Sequence, residues 1–349
     1  MNETADVSSL IESGDMLEPS LAEKLRFLSA PASYVFGPAS VEAVETHMSY
    51  VFLAGARAYK LKKPVRYPFL DFSTLEAREE DCRAEAQLNR RLAPDVYLGV
   101  VALTTEEGRL AIGGGGVVVD WLVEMRRLPR DLMLDRLIAQ GGPSDAQLGE
   151  ICDALARFYR GADRTFLTAS DYVARFVAEQ RLNRAVLTRP DFASRDQAAR
   201  LLDALDARLA AARGRLEARL LEGHVVDGHG DLRPEHICLN HPVVIFDCLE
   251  FNAALRQVDP FDEIALLGVE CAQLGAPALL RRFTEALAER LGAPPPYDLV
   301  ALYGAWRAAL RARLSFAHLL EPAPRHPQKW TPLAGRYLSI AERLLAQDF

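Results

Sequence analysis

A short stretch in the second half of the chain carries two aspartates at a spacing suited to phosphoryl transfer. It reads His229-Gly-Asp-Leu-Arg-Pro-Glu-His-Ile-Cys-Leu239, and after a brief turn the apolar run Val243-Val-Ile-Phe ends in Asp247. Transfer of a phosphoryl group from ATP needs one carboxylate beside the acceptor hydroxyl and a second that holds the metal bridging the phosphates. The order and spacing predict Asp231 as the catalytic base and Asp247 as a metal ligand.

The elements before about residue 125 are predicted to be rich in β-structure. Alternating and β-branched patterns predict a hairpin and two later strands, a capping box begins a helix between them, and a short helix precedes them all. In chain order these segments are 21–28 (helix), 47–54 and 57–62 (hairpin), 74–92 (helix), 96–103 and 117–123 (strands). Both aspartates come after this β-rich part of the chain.

Beyond residue 129 the pattern changes to amphipathic helices with apolar residues at helical spacing. The predicted helices are 130–139, 145–159, 171–187 and 195–221, and helices resume from 262 to the end. One island of short apolar strands, 225–241 and 243–246, interrupts them; Asp231 lies within it and Asp247 directly follows it. The predicted fold class is accordingly α+β.

The segment 229–247 resembles the catalytic and metal loops of the aminoglycoside phosphotransferase family and its choline kinase relatives, in which the first loop reads H-G-D-x-x-x-x-N. Further phrases resemble an uncharacterised bacterial branch of that family: Tyr59-Lys-Leu-Lys-Lys-Pro-Val65, Phe69-Leu-Asp-Phe-Ser-Thr-Leu75, Leu88-Asn-Arg-Arg-Leu-Ala-Pro-Asp95, Tyr97-Leu-Gly-Val-Val101 and Glu124-Met-Arg-Arg-Leu-Pro129. The resemblance spans nearly residues 45 to 320, and it says almost nothing about the acceptor.

The fold that this resemblance implies is a two-lobed, protein-kinase-like one with ATP bound between the lobes. A small β-rich nucleotide lobe would occupy residues 31–125, and a larger helical lobe with the catalytic loop, the metal loop and the acceptor site would occupy 126–349. Residues 1–30 would be an N-terminal extension.

The resemblance also assigns roles outside the two loops. Lys60 would grip the ATP phosphates with Glu85 holding it in place, and Lys62, on the same face of the strand, is the rival for that role. Val123 and Met125 would lie in a hinge whose backbone groups bind the adenine edge. Two further residues would support the catalytic loop: His229 by packing inside it, and Asp262 by bracing it.

Two positions depart from the family pattern. His236 stands where the family has asparagine as the second metal ligand, and imidazole suits Mg²⁺ less well than an amide oxygen. Three alternatives are open: Glu235 supplies the oxygen, His236 holds a metal-bound water, or the site uses Mn²⁺ instead of Mg²⁺. The loop expected over the phosphates has only Gly55 and no G-x-G-x-x-G.

Arg307 and Arg311 follow one another at a spacing of four on a predicted helix, so both point to one face. If that face lines the acceptor site, two guanidiniums suit an anionic small-molecule acceptor. The alternative is that both arginines form salt bridges to neighbouring helices.

Three other functions remain open from the sequence. A nucleotide-binding pseudokinase would keep the fold without turnover, and His236 is the feature that favours it. An enzyme that transfers the nucleotide would use similar residues. A metalloenzyme would instead gather the histidines that crowd this region, which are His224, His229, His236 and His241.

Composition and charge indicate which class of partner and which cellular compartment to expect. The chain has 349 residues, 41 Lys and Arg against 48 Asp and Glu, and a net charge of -7. This charge does not favour a nucleic acid or membrane partner, so a small-molecule substrate is expected. The 5 cysteines include no CxxC pair, and no secretory signal or long apolar run is recognised, which predicts a cytoplasmic location. The oligomeric state is not predicted.

Overall fold

The computed structural model describes residues 18–67, 70–292, 294–321 and 324–346. These residues form two compact units. The first contains residues 18–86 and 96–127, and the second contains residues 87–95 and 128–346. The first is β-rich and the second is mainly helical, so the predicted α+β class with a small β-rich part and a larger helical part is confirmed.

The unit boundaries differ in detail from the predicted lobes. The first unit ends at residue 127, two residues later than expected, and residues 87–95 group with the second unit. The helix at 21–28 packs into the first unit, because Leu28 is fully buried in its core and Lys24 Nζ donates to Asp120 Oδ2 at 2.9 Å. The part of the predicted extension from 18 to 30 therefore belongs to this unit, while residues 1–17 lie outside the described residues.

The first unit is built on a six-stranded antiparallel sheet. Its elements are α1 (Leu21–Leu28), β1 (Val41–Glu45), β2 (Ser49–Ala54), β3 (Arg57–Lys62), β4 (Arg66–Tyr67), β5 (Leu70–Asp71), α2 (Leu75–Asn89), β6 (Tyr97–Glu106), β7 (Arg109–Ile112) and β8 (Val117–Arg126). The strand order is β1-β2-β3-β8-β6-β7, and β4 pairs with β5 separately. Since α2 continues to Asn89, its last turn falls in the second unit.

Alternation along β3 separates a core face from a charged face. Tyr59 and Leu61 are buried in the apolar core with Phe52 and Leu122. Because successive side chains point to opposite faces of a strand, Lys60 and Lys62 both lie on the other face. The turn that leads into β3 uses Gly55 at φ 56°, a conformation that favours glycine.

The second unit contains eight helices and two short antiparallel strand pairs within its described residues. In chain order they are α3 (Leu134–Ala139), α4 (Asp145–Gly161), α5 (Ala169–Leu187), α6 (Arg195–Leu221), β9 (Val226–Asp227), β10 (Ile237–Cys238), β11 (Val244–Ile245), β12 (Gln257–Val258), α7 (Pro260–Gln273), α8 (Ala278–Leu291), α9 (Tyr297–Ala317) and α10 (Pro327–Ala346). Strand β10 pairs with β11, and β9 pairs with β12.

Helix α7 is the centre of the second unit. Every residue from Pro260 to Ala272 is buried, which is typical of a helix covered on all sides. Gly268 allows α8 to pack closely, because a Cβ at this position would come within 2.6 Å of Leu280 Cβ. Three acidic residues occur in this buried helix, namely Asp262, Glu263 and Glu270. Each of these carboxylates therefore requires a buried polar partner.

Two expectations from composition can be compared with the structure. All five cysteines are buried and free of disulfide bonds, as their spacing predicted. Over the described ranges, no helix combines the length and the apolar character that crossing a membrane requires.

Candidate active site

In the first unit, Glu85 of α2 binds both lysines of β3. Lys60 Nζ lies 2.9 Å from Glu85 Oε1, and Lys62 Nζ lies 2.7 Å from Glu85 Oε2. The Glu85 side chain is fully buried, so its carboxylate fixes both ammonium groups at the charged face of the sheet. The predicted pairing of Lys60 with Glu85 is present in the structure.

Exposure distinguishes Lys60 from its rival. The Lys62 side chain is 1% exposed and is also paired with Asp81, whereas the Lys60 side chain is 13% exposed. A lysine enclosed by two carboxylates serves the fold, since a buried ammonium requires such compensation. Lys60 is therefore the better candidate for a phosphate ligand.

The predicted hinge residues lie inside the sheet. Val123 and Met125 belong to β8, where Val123 is paired with Lys60 of β3 and Val100 of β6, and Met125 is paired with Ala58 and Tyr97. The backbone N–H and C=O groups of a strand flanked on both sides are used in the sheet. Strand β8 continues to Arg126, and a contact of these backbone groups with adenine stays a prediction.

In the second unit, the loop after β9 carries Asp231 and is anchored by His229. The His229 ring is fully buried, its Nε2–H donates to the Phe246 carbonyl at 2.9 Å, and its Nδ1 accepts the Asp231 N–H at 3.3 Å. Burial, reinforced by His236, lowers the pKa of His229 to about 4. His229 is thus a neutral packing residue of the loop, in agreement with its predicted role.

Glu263, one residue after the predicted Asp262, is the residue that binds the backbone of this loop. The Glu263 carboxylate accepts the backbone N–H of His229 at 3.1 Å and that of Gly230, and it also accepts the Tyr159 hydroxyl at 2.7 Å. Asp262 is wrong for this role because consecutive helical residues point about 100° apart around the axis. Its carboxylate is turned away to bind Arg307.

Asp231 is one of three partly exposed carboxylates in this region, together with Glu235 and Asp247. Its side chain is 34% exposed, and Arg233 Nε lies 3.7 Å from its Oδ2. Burial alone would raise the pKa of Asp231, but Arg233 first and His236 second outweigh it and hold this pKa below its ordinary value. Asp231 is therefore ionised near neutral pH, as a proton acceptor must be.

The hairpin of β10 and β11 brings His236 to Asp247. Ile237 pairs with Ile245, and the Phe246 N–H donates to the His236 carbonyl at 3.0 Å, so the residues flanking the hairpin are neighbours. His236 Nε2 lies 3.3 Å from Asp247 Oδ2. Asp247 has a φ of 61°, a left-handed conformation that is uncommon outside glycine.

This pair meets the geometric requirement for ligands of one cation. Two ligand atoms bound at about 2.1 Å to one ion, at tetrahedral or octahedral angles, lie roughly 3.0 to 3.4 Å apart. The separation of 3.3 Å between His236 Nε2 and Asp247 Oδ2 falls in this range. Residues of this chain therefore fit a divalent metal at the predicted position.

The two arginines predicted for the acceptor are both committed to carboxylates of α7. Arg307 is buried, and its guanidinium donates to Asp262 at 2.7 and 2.6 Å. Arg311 Nε lies 2.6 Å from Glu270 Oε1. The geometry favours the salt-bridge alternative for Arg307. Arg311 is a less enclosed residue, with its side chain 19% exposed.

The four clustered histidines do not form one site. His224 Nε2 lies 3.3 Å from Glu222, His241 Nδ1 lies 3.6 Å from Glu150, and His229 and His236 stack with ring centroids 6.0 Å apart. No group of three potential metal ligands among the described residues includes any of these four histidines. The geometry therefore argues against a histidine-cluster metalloenzyme.

Sequence reasoning missed Arg233 and Glu263. A signal for Glu263 existed, because a charged residue in an otherwise apolar helix must have a buried partner. For Arg233 the signal was its position two residues after Asp231 in an irregular loop.

The comparisons with known sequences find relatives but no family model that matches the chain. Over 309 residues the chain is 33% identical to uncharacterised proteins of Mycobacterium bovis and Mycobacterium tuberculosis. The match covers 87% of this chain and 60% of each relative, so the chain spans three fifths of the length of the curated relatives it matches.

Solved structures establish the fold. A choline/ethanolamine kinase family protein from Mesorhizobium loti is similar with a TM-score of 0.52 at 15% identity, covering 92% of this chain and 94% of that one. Choline kinase from Cryptosporidium parvum gives 0.52 at 10% identity, with coverage of 88% and 90%. A thermostable mutant of the aminoglycoside phosphotransferase APH(4)-Ia gives 0.53 at 12% identity, with coverage of 93% and 98%. The chain has the kinase-like fold of these proteins, as the sequence resemblance implied.

Proposed function

We propose that this protein is an ATP-dependent phosphotransferase that acts on a hydroxyl group of a small molecule. The observation that carries the proposal is the loop of the second unit, where an ionised and accessible Asp231 is held beside the His236–Asp247 pair. The Lys60–Glu85 pair of the first unit and the shared fold of choline kinases and aminoglycoside phosphotransferases support it.

In the proposed reaction, Asp231 orients the acceptor hydroxyl and takes its proton as the oxygen attacks the γ-phosphorus of ATP. The new bond joins the acceptor oxygen to phosphorus, the bond from phosphorus to the bridging oxygen breaks, and ADP leaves. Lys60, fixed by Glu85, neutralises phosphate charge. Glu263 and His229 are positioning residues, because they hold the backbone around Asp231.

Asp247 and His236 would hold a divalent metal, either Mg²⁺ or Mn²⁺. When bound, such an ion offsets the charge of the phosphates. The positive charge of Arg233 lowers the pKa of Asp231 and so keeps its carboxylate ionised. We place the reaction in the cytoplasm, because five free thiols suit a reducing compartment.

The test is a metabolite screen for ATP consumption, with products analysed by mass spectrometry. A product heavier than the acceptor by one phosphoryl group supports the proposal. In Asp231→Asn we expect turnover to fall by at least about a hundredfold with nearly unchanged ADP affinity, since the variant keeps the shape but loses the proton acceptor. The matched control is Asp191→Asn, an exposed carboxylate paired with Arg189, which should leave turnover unchanged.

Two rival functions correspond to other outcomes of the same screen. A product carrying the nucleotide would identify a nucleotidyl transferase. Binding of ADP without turnover of any acceptor would point to a pseudokinase. Near wild-type turnover in Asp231→Asn would contradict the proposed mechanism.

A further inference from the structure

The orientation of the His236 ring determines which of its nitrogens can bind a ligand. Nδ1 lies 2.8 Å from the Asp231 carbonyl oxygen, an acceptor only, so Nδ1 carries the proton and donates it. The ring is buried and has the His229 and Phe246 rings as neighbours, each with its centroid 6.0 Å away. Nε2 is therefore left with a lone pair in a fixed direction, the arrangement common to metal-binding histidines.

The lone pair of Nε2 faces a carboxylate. Asp247 Oδ2 lies 3.3 Å from it, so a metal ion bound by Nε2 would also be within reach of this carboxylate oxygen. Asp247 holds its carboxylate there from a left-handed backbone conformation at φ 61°. Strain of this kind is concentrated at functional sites.

We infer that His236 Nε2 bonds directly to the metal of this site, and that the mixed nitrogen and oxygen ligands select a first-row transition-metal ion such as Mn²⁺ over Mg²⁺. The inference rests on the proposed function, because it concerns the ion that accompanies the nucleotide. Mg²⁺ prefers an all-oxygen octahedral shell, whereas an imidazole nitrogen favours transition ions.

The direct test is pulsed electron paramagnetic resonance of the full chain with Mn²⁺ and ADP. Bonding by His236 predicts a ¹⁴N coupling from imidazole that changes to a ¹⁵N pattern when the protein contains ¹⁵N-histidine and the ADP is unlabelled. His236→Asn should lose this coupling, and the control His241→Asn should keep it, since His241 is a largely exposed histidine paired with Glu150.

A second measurement compares the dissociation constants of Mn²⁺ and Mg²⁺ in the presence of ADP. We expect Mn²⁺ to bind at least roughly tenfold more tightly in the wild type, and the ratio to fall severalfold in His236→Asn.

The outcomes separate the two proposals. Mn²⁺ and ADP that bind without a histidine coupling overturn this inference and leave the proposed function standing. Failure of ADP to bind with either metal contradicts the proposed function and, with it, this inference. The ¹⁵N-labelled wild type decides the question even if His236→Asn does not fold.

Discussion

Lys60 and Lys62 share the Glu85 carboxylate but are buried to different degrees. We therefore expect substitution of Lys62 to affect mainly stability, and substitution of Lys60 to affect mainly nucleotide binding. Lys62→Ala would leave Asp81 and Glu85 enclosed with one cation fewer, so we expect the free energy of unfolding to fall by about 3 to 5 kcal/mol. Lys60→Ala leaves Glu85 paired with Lys62 and should cost less stability but weaken ADP binding. Chemical denaturation and ADP titration of both variants measure the two effects. Equal loss of stability would contradict the division of roles.

Arg307 forms a buried ion pair with Asp262, so its predicted role at the acceptor gives way to a role in stability. Because its guanidinium is buried against Asp262, Arg307→Ala should lower the free energy of unfolding by about 3 to 5 kcal/mol. The double variant Asp262→Leu with Arg307→Met should recover most of that loss, since neither charge is then left unpaired. As a control, Arg215→Ala removes an exposed bridge to Asp298 and should cost about 1 kcal/mol or less. If Arg307→Ala instead left the free energy of unfolding nearly unchanged and raised the KM for the acceptor, Arg307 would be an acceptor ligand.

The candidate site was predictable from sequence where local structure positions its residues. His236 and Asp247 flank a short hairpin, so their proximity follows from nearby residues alone. The partners of Glu263 and Arg307 depend on the rotational phase of α7 and α9 and on contacts distant in sequence. The resemblance assigned the bracing role to Asp262, whereas the adjacent Glu263 makes these contacts.

Helices α4 and α6 differ in how their N-termini are capped. Ser144 and Gln147 form a reciprocal capping box at the start of α4, whereas Ser194 at the start of α6 makes no side-chain capping bond. Ser144→Ala should therefore lower the free energy of unfolding by about 1 kcal/mol, and Ser194→Ala by a few tenths (~0.3 kcal/mol) at most. Denaturation with urea measures both. Equal costs would show that the box contributes nothing.

Two helices were predicted with the bounds that the structure shows. The helices 21–28 and 195–221 have the predicted bounds, because each combines helical periodicity with polar flanks. Strand β1 was not predicted. Four of its five residues are exposed and two are glutamate, so it lacks an apolar face, and only its pairing with β2 identifies it.

For the whole molecule, binding of nucleotide and metal should appear as added stability. A ligand that binds only the folded chain stabilises it by about 2.7 kcal/mol at a concentration one hundred times its Kd. We expect ADP with Mn²⁺ to raise Tm in the wild type, and to raise it less in Lys60→Ala at the same concentrations. Thermal melts with each metal check this. No shift with Mg²⁺ or Mn²⁺ at millimolar nucleotide would count against a nucleotide site.

The left-handed backbone at Asp247 has a consequence for how this chain can evolve and be engineered. Glycine occupies φ near 61° without steric cost, whereas alanine there costs roughly 1 kcal/mol. An inactive Asp247→Gly chain should therefore be more stable than Asp247→Ala and at least as stable as the wild type. If Asp247 binds the proposed metal, stability and activity conflict at this position, because a substitution that stabilises the fold would remove the ligand. Such a chain would remain folded and retain its shape while losing a ligand of the proposed metal site.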